Sequence, residues 1–231
     1  MTYRFRPFVL LSLVLLFASS AAAGPPLLCH PFDIGAAKSL PWSGAAWTAV
    51  DPTYDTTRLV NDTLSLLTPD APVLLRMETL RRATVYARND PARASQLLAG
   101  LRDRAAGKDR GGRDYAVALF DVGYLTETYK QASWIAANMH EDFRGFAPGA
   151  SDVDGYAQIT HAIAITGDPA MEFAAAVVAS DRRTHGETAY REHLTRAIAA
   201  SPEGSLLARN LVGHFGEAQI RELRSAAQKS R

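Results

Sequence analysis

Apolar side chains recur at helical spacing along nearly all of the chain from residue 55 onward. Asp55 opens a first helix whose inner stripe is Leu59, Thr63, Leu66 and Leu67, and Thr68-Pro69 ends it. A second helix begins near Pro72 and carries Val73, Met77, Leu80 and Ala87, with Glu78 and Arg82 read as an ion pair on its outer side. Asn89-Asp90-Pro91 breaks it, and Ala94, Leu97, Leu98 and Leu101 mark a third, which runs into the loop 106–112. Asp114 is the expected cap of a fourth helix with Tyr115, Leu119, Val122, Leu125 and Tyr129 on one face. Residues 132–151 read as the least regular interior stretch. Two helices then follow closely, one through Tyr156, Ile159 and Ile163, the other through Phe173 and Val177. Further helices are expected near Glu187, from Ser201-Pro202 through Phe215, and around Ile220 and Leu223. No β-branched alternation is long enough for a strand. About eight or nine helices with short connections predict an all-α fold of antiparallel helix pairs, an irregular helical array or bundle.

The stretch 152–180 is the clearest local unit. Gly167 stops one helix, Asp168 can cap the next, and Pro169 suits a first helical turn whose amide has no partner anyway. Asp90-Pro91 repeats the device 78 residues earlier, two units of 39, within the size range of helical repeats.

The first residues differ from the rest. Arg4 and Arg6 precede an apolar run from Phe8 to Ala18, and small residues with Ala21-x-Ala23 follow. That order predicts a secretory signal peptide over 1–23, cleaved after Ala23, and a periplasmic or secreted product. The apolar run is too short for a membrane span, so none is expected once the leader is removed. Residues 24–54, interrupted by five prolines, read as an irregular N-terminal arm that Trp42 and Trp47 pin to the body. Residues 55–231 form one all-helical domain. Lys and Arg number 25 and Asp and Glu 24, so nothing favours a nucleic-acid partner.

Candidate chemistry is sparse. Cys29 is the single cysteine, a possible free thiol, and His30 beside it could activate it only if the two side chains met. His140, Glu141 and Asp142 offer an imidazole and two carboxylates in the irregular segment. Asp152-Val153-Asp154-Gly155 echoes part of a calcium loop, but Ala150 and His161 stand where ligands belong, and helix capping accounts for the carboxylates. His185-Gly186-Glu187 copies the start of a zinc-deaminase motif without its cysteine pair. No Walker, Rossmann or nucleophile-elbow loop is present. No metal or cofactor site is expected.

The alternation of short antiparallel helices over residues 55–200 resembles the tetratricopeptide-like α-solenoids at the level of architecture. The resemblance implies a binding or scaffolding role, with a protein or peptide partner. Tyr115, Tyr124, Tyr129, Trp134 and Tyr156 are the aromatics suggested for that surface. Two other roles fit the same sequence: a secreted helical enzyme, such as a hydrolase, using the 140–142 loop, and a self-associating envelope protein.

Overall fold

A computed structural model describes residues 26–138, 141–143, 146, 148, 149 and 152–229. The expected leader 1–23 and the expected cleavage after Ala23 lie outside the described residues. Within them the chain is all-α: α1 Leu59–Leu66, α2 Val73–Tyr86, α3 Pro91–Ala106, α4 Arg113–Asn138, α5 Gly155–Thr166, α6 Pro169–Ala179, α7 Arg182–Ala199, α8 Leu206–Phe215 and α9 Glu217–Lys229. The only β pairing among the described residues is an isolated bridge between Trp42 and Val50. None of the described helices is long and apolar enough to cross a membrane.

Local chemistry sets most boundaries. Asp90, Asp154, Asp168 and Ser205 each accept a backbone N–H of the first turn, and Pro91 and Pro169 occupy the first helical positions. Gly167 ends α5 at φ +61°, a conformation in which a Cβ would be strained. Four boundaries differ from expectation. Asp55 caps a 3-10 turn, Thr56–Arg58, ahead of α1, and Asp114, read as a cap, lies inside the first turn of α4. α4 runs on through Ala132–Asn138, because Ala132 and Ile135 continue its buried face. The helix expected from Ser201-Pro202 starts at Leu206, because Ser205 rather than Ser201 supplies the cap.

α4 is the axis of the molecule. It packs most extensively on α5 and also meets α2, α3 and α6. Tyr124 and Tyr129 are therefore fully buried and cannot form a recognition surface, whereas Trp134 near its end is 52% exposed. The α4–α5 contact is close because Gly123 faces Gly155. α2 and α6 are buried almost along their whole length.

The arm is held by buried polar bonds as well as by its tryptophans. Gln131 Oε1 accepts the amides of Leu27 and Leu28 at 2.7 and 3.0 Å. Asn210 on α8 accepts from the Asp33 amide and donates to its carbonyl. The largest anchor is on α2, and it corrects the expected outward ion pair. Glu78 is buried, and its carboxylate takes a two-point bond from Arg81, one from Arg82 Nε and one from the Phe32 amide. Arg81 also donates to the carbonyls of Leu28 and Trp47, and Arg82 to that of Leu40. The Trp42 ring lies 4.7 Å from the Arg81 guanidinium carbon. Glu78 points inward because the arm covers that side of α2, and the arm's carbonyls help offset the second buried cation.

Candidate functional site

Charged residues set singly within apolar runs define the buried polar sites. Arg76 interrupts Val73–Met77, Asp121 interrupts Leu119–Leu125, and Glu172 interrupts Met171–Val178. An ionised group in such a run must find a partner when the run is buried.

Asp121 and Arg76 form the innermost pair. Arg76 Nη1 donates to Asp121 Oδ2 at 2.6 Å, its Nε to the Ala71 carbonyl at 2.9 Å, and its Nη2 to the Thr68 carbonyl. All three guanidinium nitrogens are thereby used. Asp121 is not so well served: its Oδ1 is buried and has no hydrogen-bond partner among the described residues. Burial pushes the Asp121 carboxyl up to about 7, against the pull of Arg76.

This pair forms part of the lining of a half-open cavity of about 310 Å³ between α1, the α1–α2 turn, α2, α3 and α4. The volume is at the small end of the range for small-molecule sites. Leu64, Leu67, Leu101, Val117 and Ala118 supply apolar lining. Arg104 and Lys108 bring two cations to it, and Asp114 one carboxylate. Arg104 uses Nη1 on the carbonyls of Leu64 and Leu67, at 2.7 and 3.3 Å, which closes the C-terminal end of α1. Lys108 Nζ lies 4.0 Å from Asp114, beyond hydrogen-bond reach, and both side chains are exposed. The cavity thus combines apolar walls with an excess of positive charge at its exposed edge.

A second polar cluster links α5, α6 and α7. His193 Nδ1 donates to Glu172, and with a neutral imidazole its Nε2 accepts from the Tyr156 hydroxyl at 2.8 Å. Arg196 Nη1 is 3.6 Å from the other Glu172 oxygen, and the His185 ring lies 4.2 Å from the Tyr156 ring. The order carboxylate, imidazole, hydroxyl is that of a catalytic relay. Here the hydroxyl is a phenol, held protonated by burial and by the Glu172 charge, which makes it a poor nucleophile. Neither of the cavities described here is lined by it. The cluster fastens α7 across the α5–α6 pair.

The other candidates occupy different places. His140 lies outside the described residues. Glu141 begins a short 3-10 turn, Glu141–Phe143, in which its side chain is not described, Asp142 is exposed and Phe143 is buried. Cys29 is free and half-buried, and burial pushes its thiol up to about 11, so little of it is thiolate at neutral pH. His30 turns to the ring of His214, at 5.8 Å. Asp154 caps α5. His161 is exposed, edge-on to Tyr115. Among the described residues no three His, Cys, Asp or Glu side chains are grouped to hold a metal ion. A shallower groove of about 560 Å³ between α8 and α9 is lined by Arg209, Arg221 and Arg224.

Sequence patterning passed over Arg76, Asp121, Glu172 and His193, because periodicity scores them as interruptions of a stripe. The available signal was the interruption itself. Comparison of the chain with protein-family models, curated proteins and solved structures finds no match.

Proposed function

We propose that this protein is an exported, all-helical binding module that takes a small ligand into the cavity between α1, α3 and α4. The observation that carries the reading is the cavity itself, about 310 Å³ with walls of Leu64, Leu67, Leu101, Val117 and Ala118 and with Arg104 and Lys108 at its edge. Export rests on the leader pattern of residues 1–23. The tetratricopeptide-like character rests on the two Asp-Pro-capped helix starts, at α3 and α6.

Two measurements test the reading. Mass spectrometry of the protein recovered from a secreting host should give an N-terminus at Gly24; an intact leader on a cytosolic product would refute export. A mixed library of small polar compounds, followed by ligand-observed NMR, should yield binders to the wild type that Ala118→Phe loses. Ala118 lines the cavity without being fully buried, so the larger ring fills space there. No binders, or binders indifferent to Ala118→Phe, would refute the cavity as the site.

One observation favours a second reading, a protein partner. Trp134 is half exposed on α4, and a large exposed aromatic is common at recognition surfaces. Trp134→Ala would then leave the small-molecule binding untouched while abolishing partner association.

A further inference from the structure

We infer that the face of α2, α4 and α8 beneath the N-terminal arm is an exchange surface, which accepts residues 27–40 of a second copy in place of the chain's own. This stands apart from the small-ligand reading, since the side chains that hold the arm do not line that cavity.

The bonds that hold the arm share one sense: side chains of the body address main-chain atoms of the arm. On α4, Gln131 Oε1 accepts the amides of Leu27 and Leu28. On α2, Glu78 accepts the Phe32 amide at 3.0 Å, and Arg81 donates to the Leu28 carbonyl at 3.2 Å. Arg82 donates to the Leu40 carbonyl at 2.6 Å, and the Tyr86 hydroxyl to that of Pro41 at 2.7 Å. On α8, Asn210 holds both the amide and the carbonyl of Asp33. In peptide recognition, main-chain bonds give affinity and pockets for particular side chains give selectivity. Here the pockets are filled by Leu27, Leu28, Phe32 and Leu40, each at most 3% exposed. Phe32 is the central anchor, its ring centroid 6.4, 6.0 and 4.6 Å from those of Tyr124, Phe173 and His214.

The arm brings little structure of its own. Residues 27–40 form neither helix nor strand. Their bonds to one another among the described residues are a turn, Ala37 amide to Ile34 carbonyl, and a bend in which the Asp33 carboxylate accepts the Gly35 amide. The buried main chain must therefore draw its partners from the body. Pro26, Pro31 and Pro41 restrict the chain before it docks, which lowers the ordering cost.

The same segment from another copy meets the same donors, acceptors and pockets. The link allows it: residues 41–58 reach up to about 60 Å at roughly 3.3 Å per residue, against a diameter of about 40 Å for a domain of this size. Extending the link gives up the Trp42–Val50 bridge and the bond from the Asp51 amide to Tyr86. The chain's own arm keeps the advantage of tethering, an effective concentration on the order of millimolar. Exchange therefore becomes prominent when that arm is weakened or the protein is comparably concentrated.

The test is complementation between two full-length variants under reducing conditions. Phe32→Ala damages the arm and spares the body, and Gln131→Ala damages the body and spares the arm. Mixed at about 0.1 mM, they should give a mixed dimer in native mass spectrometry, several-fold more abundant than the dimer of either variant alone. A chain carrying both substitutions, mixed with Phe32→Ala, supplies no undamaged arm and should give none. In fluorescence anisotropy, a labelled peptide of residues 26–41 with Cys29→Ser should bind Phe32→Ala roughly tenfold more tightly than wild type, whose own arm competes. Adding Gln131→Ala to that chain should undo the gain. Should Phe32→Ala fail to fold, Phe32→Leu takes its place in both experiments. A mixture that stays monomeric would overturn the inference. So would a peptide that binds Phe32→Ala no better than wild type, or no better than its scrambled sequence does.

Discussion

A methyl carbon on Gly123 would lie 2.6 Å from the carbonyl oxygen of Gly155 and 2.9 Å from Cβ of Gln158. The two glycines are where α4 and α5 touch backbone to backbone. A Cβ on Gly155 would also meet Glu127, whose Oε1 would be 2.8 Å away and which accepts the Tyr156 amide. The closest atom in each case is a backbone carbonyl, which cannot swing aside.

Gly123→Ala should therefore destabilise the protein by about 1–3 kcal/mol, despite the roughly 1 kcal/mol that alanine gains over glycine in a helix. Gly100→Ala, on α3, is the control. Its nearest atom is the tip of the flexible Leu64 side chain at 3.1 Å. Chemical denaturation should find Gly100→Ala near neutral and Gly123→Ala clearly weakened; equal effects would mean the helices separate easily.

Arg81→Met should cost roughly 3–5 kcal/mol, because it leaves the buried Glu78 carboxylate short of its two-point partner and two arm carbonyls without donors. Limited proteolysis should cut the variant first within the arm, before α1. Arg58→Ala breaks a pair whose arginine is 69% exposed and should change stability by less than about 0.5 kcal/mol. An arm that stays protected in Arg81→Met would show that packing alone retains it.

Two buried groups set opposite pH dependences. Burial lowers His214 from its ordinary 6.5 to about 4, although its Nδ1 donates to the Asn210 carbonyl at 3.1 Å. The unfolded chain therefore takes up a proton first as pH falls, and stability is lost between 6.5 and about 4. Asp121 works the other way. Its native value near 7 lies above the ordinary 3.8, so the native state binds the extra proton, and stability rises as pH falls from 7 towards 3.8. His214→Phe should gain on the wild type progressively below pH 6.5 in thermal melts. Asp121→Asn should fall progressively behind, relative to its standing at pH 7, over the same range. Parallel pH profiles for all three proteins would show that neither group is titrating as its burial implies.

Tyr156→Phe should cost about 0.5–1.5 kcal/mol, because it removes the hydroxyl that His193 Nε2 accepts from and leaves that nitrogen without it. His193→Ala should cost more, since it also deprives the buried Glu172 of its donor. Hydrogen exchange should show the loosening in α7 ahead of α4. A uniform change across the chain would mean that the cluster does not specifically hold α7.

Much of this architecture was readable from short-range chemistry. Asp90-Pro91 and Asp168-Pro169 start α3 and α6 because a carboxylate can cap, and a proline can lead, using only atoms within four residues. Gly167 ends α5 by the same local logic. The apolar stripes of Leu97, Leu98 and Leu101, and of Leu207 and Leu211, are buried as their spacing predicts. Where a stripe is broken by a charge, local logic fails. Glu78 and Arg82 look like a solvated pair because an (i, i+4) spacing is equally good in water, and only the arm lying over them makes the site internal.

The sequence by itself thus determined the all-helical class, most helix starts and stops, and which faces must be hidden. These depend on backbone geometry, capping atoms and apolar periodicity within a turn or two. Only the tertiary structure decided that Arg76 meets Asp121 across 45 residues, that Glu172 meets His193, and that a cavity remains beside one unmatched carboxylate oxygen. Those outcomes depend on how whole helices cross and on which side chains are left facing when they do. No local period encodes that.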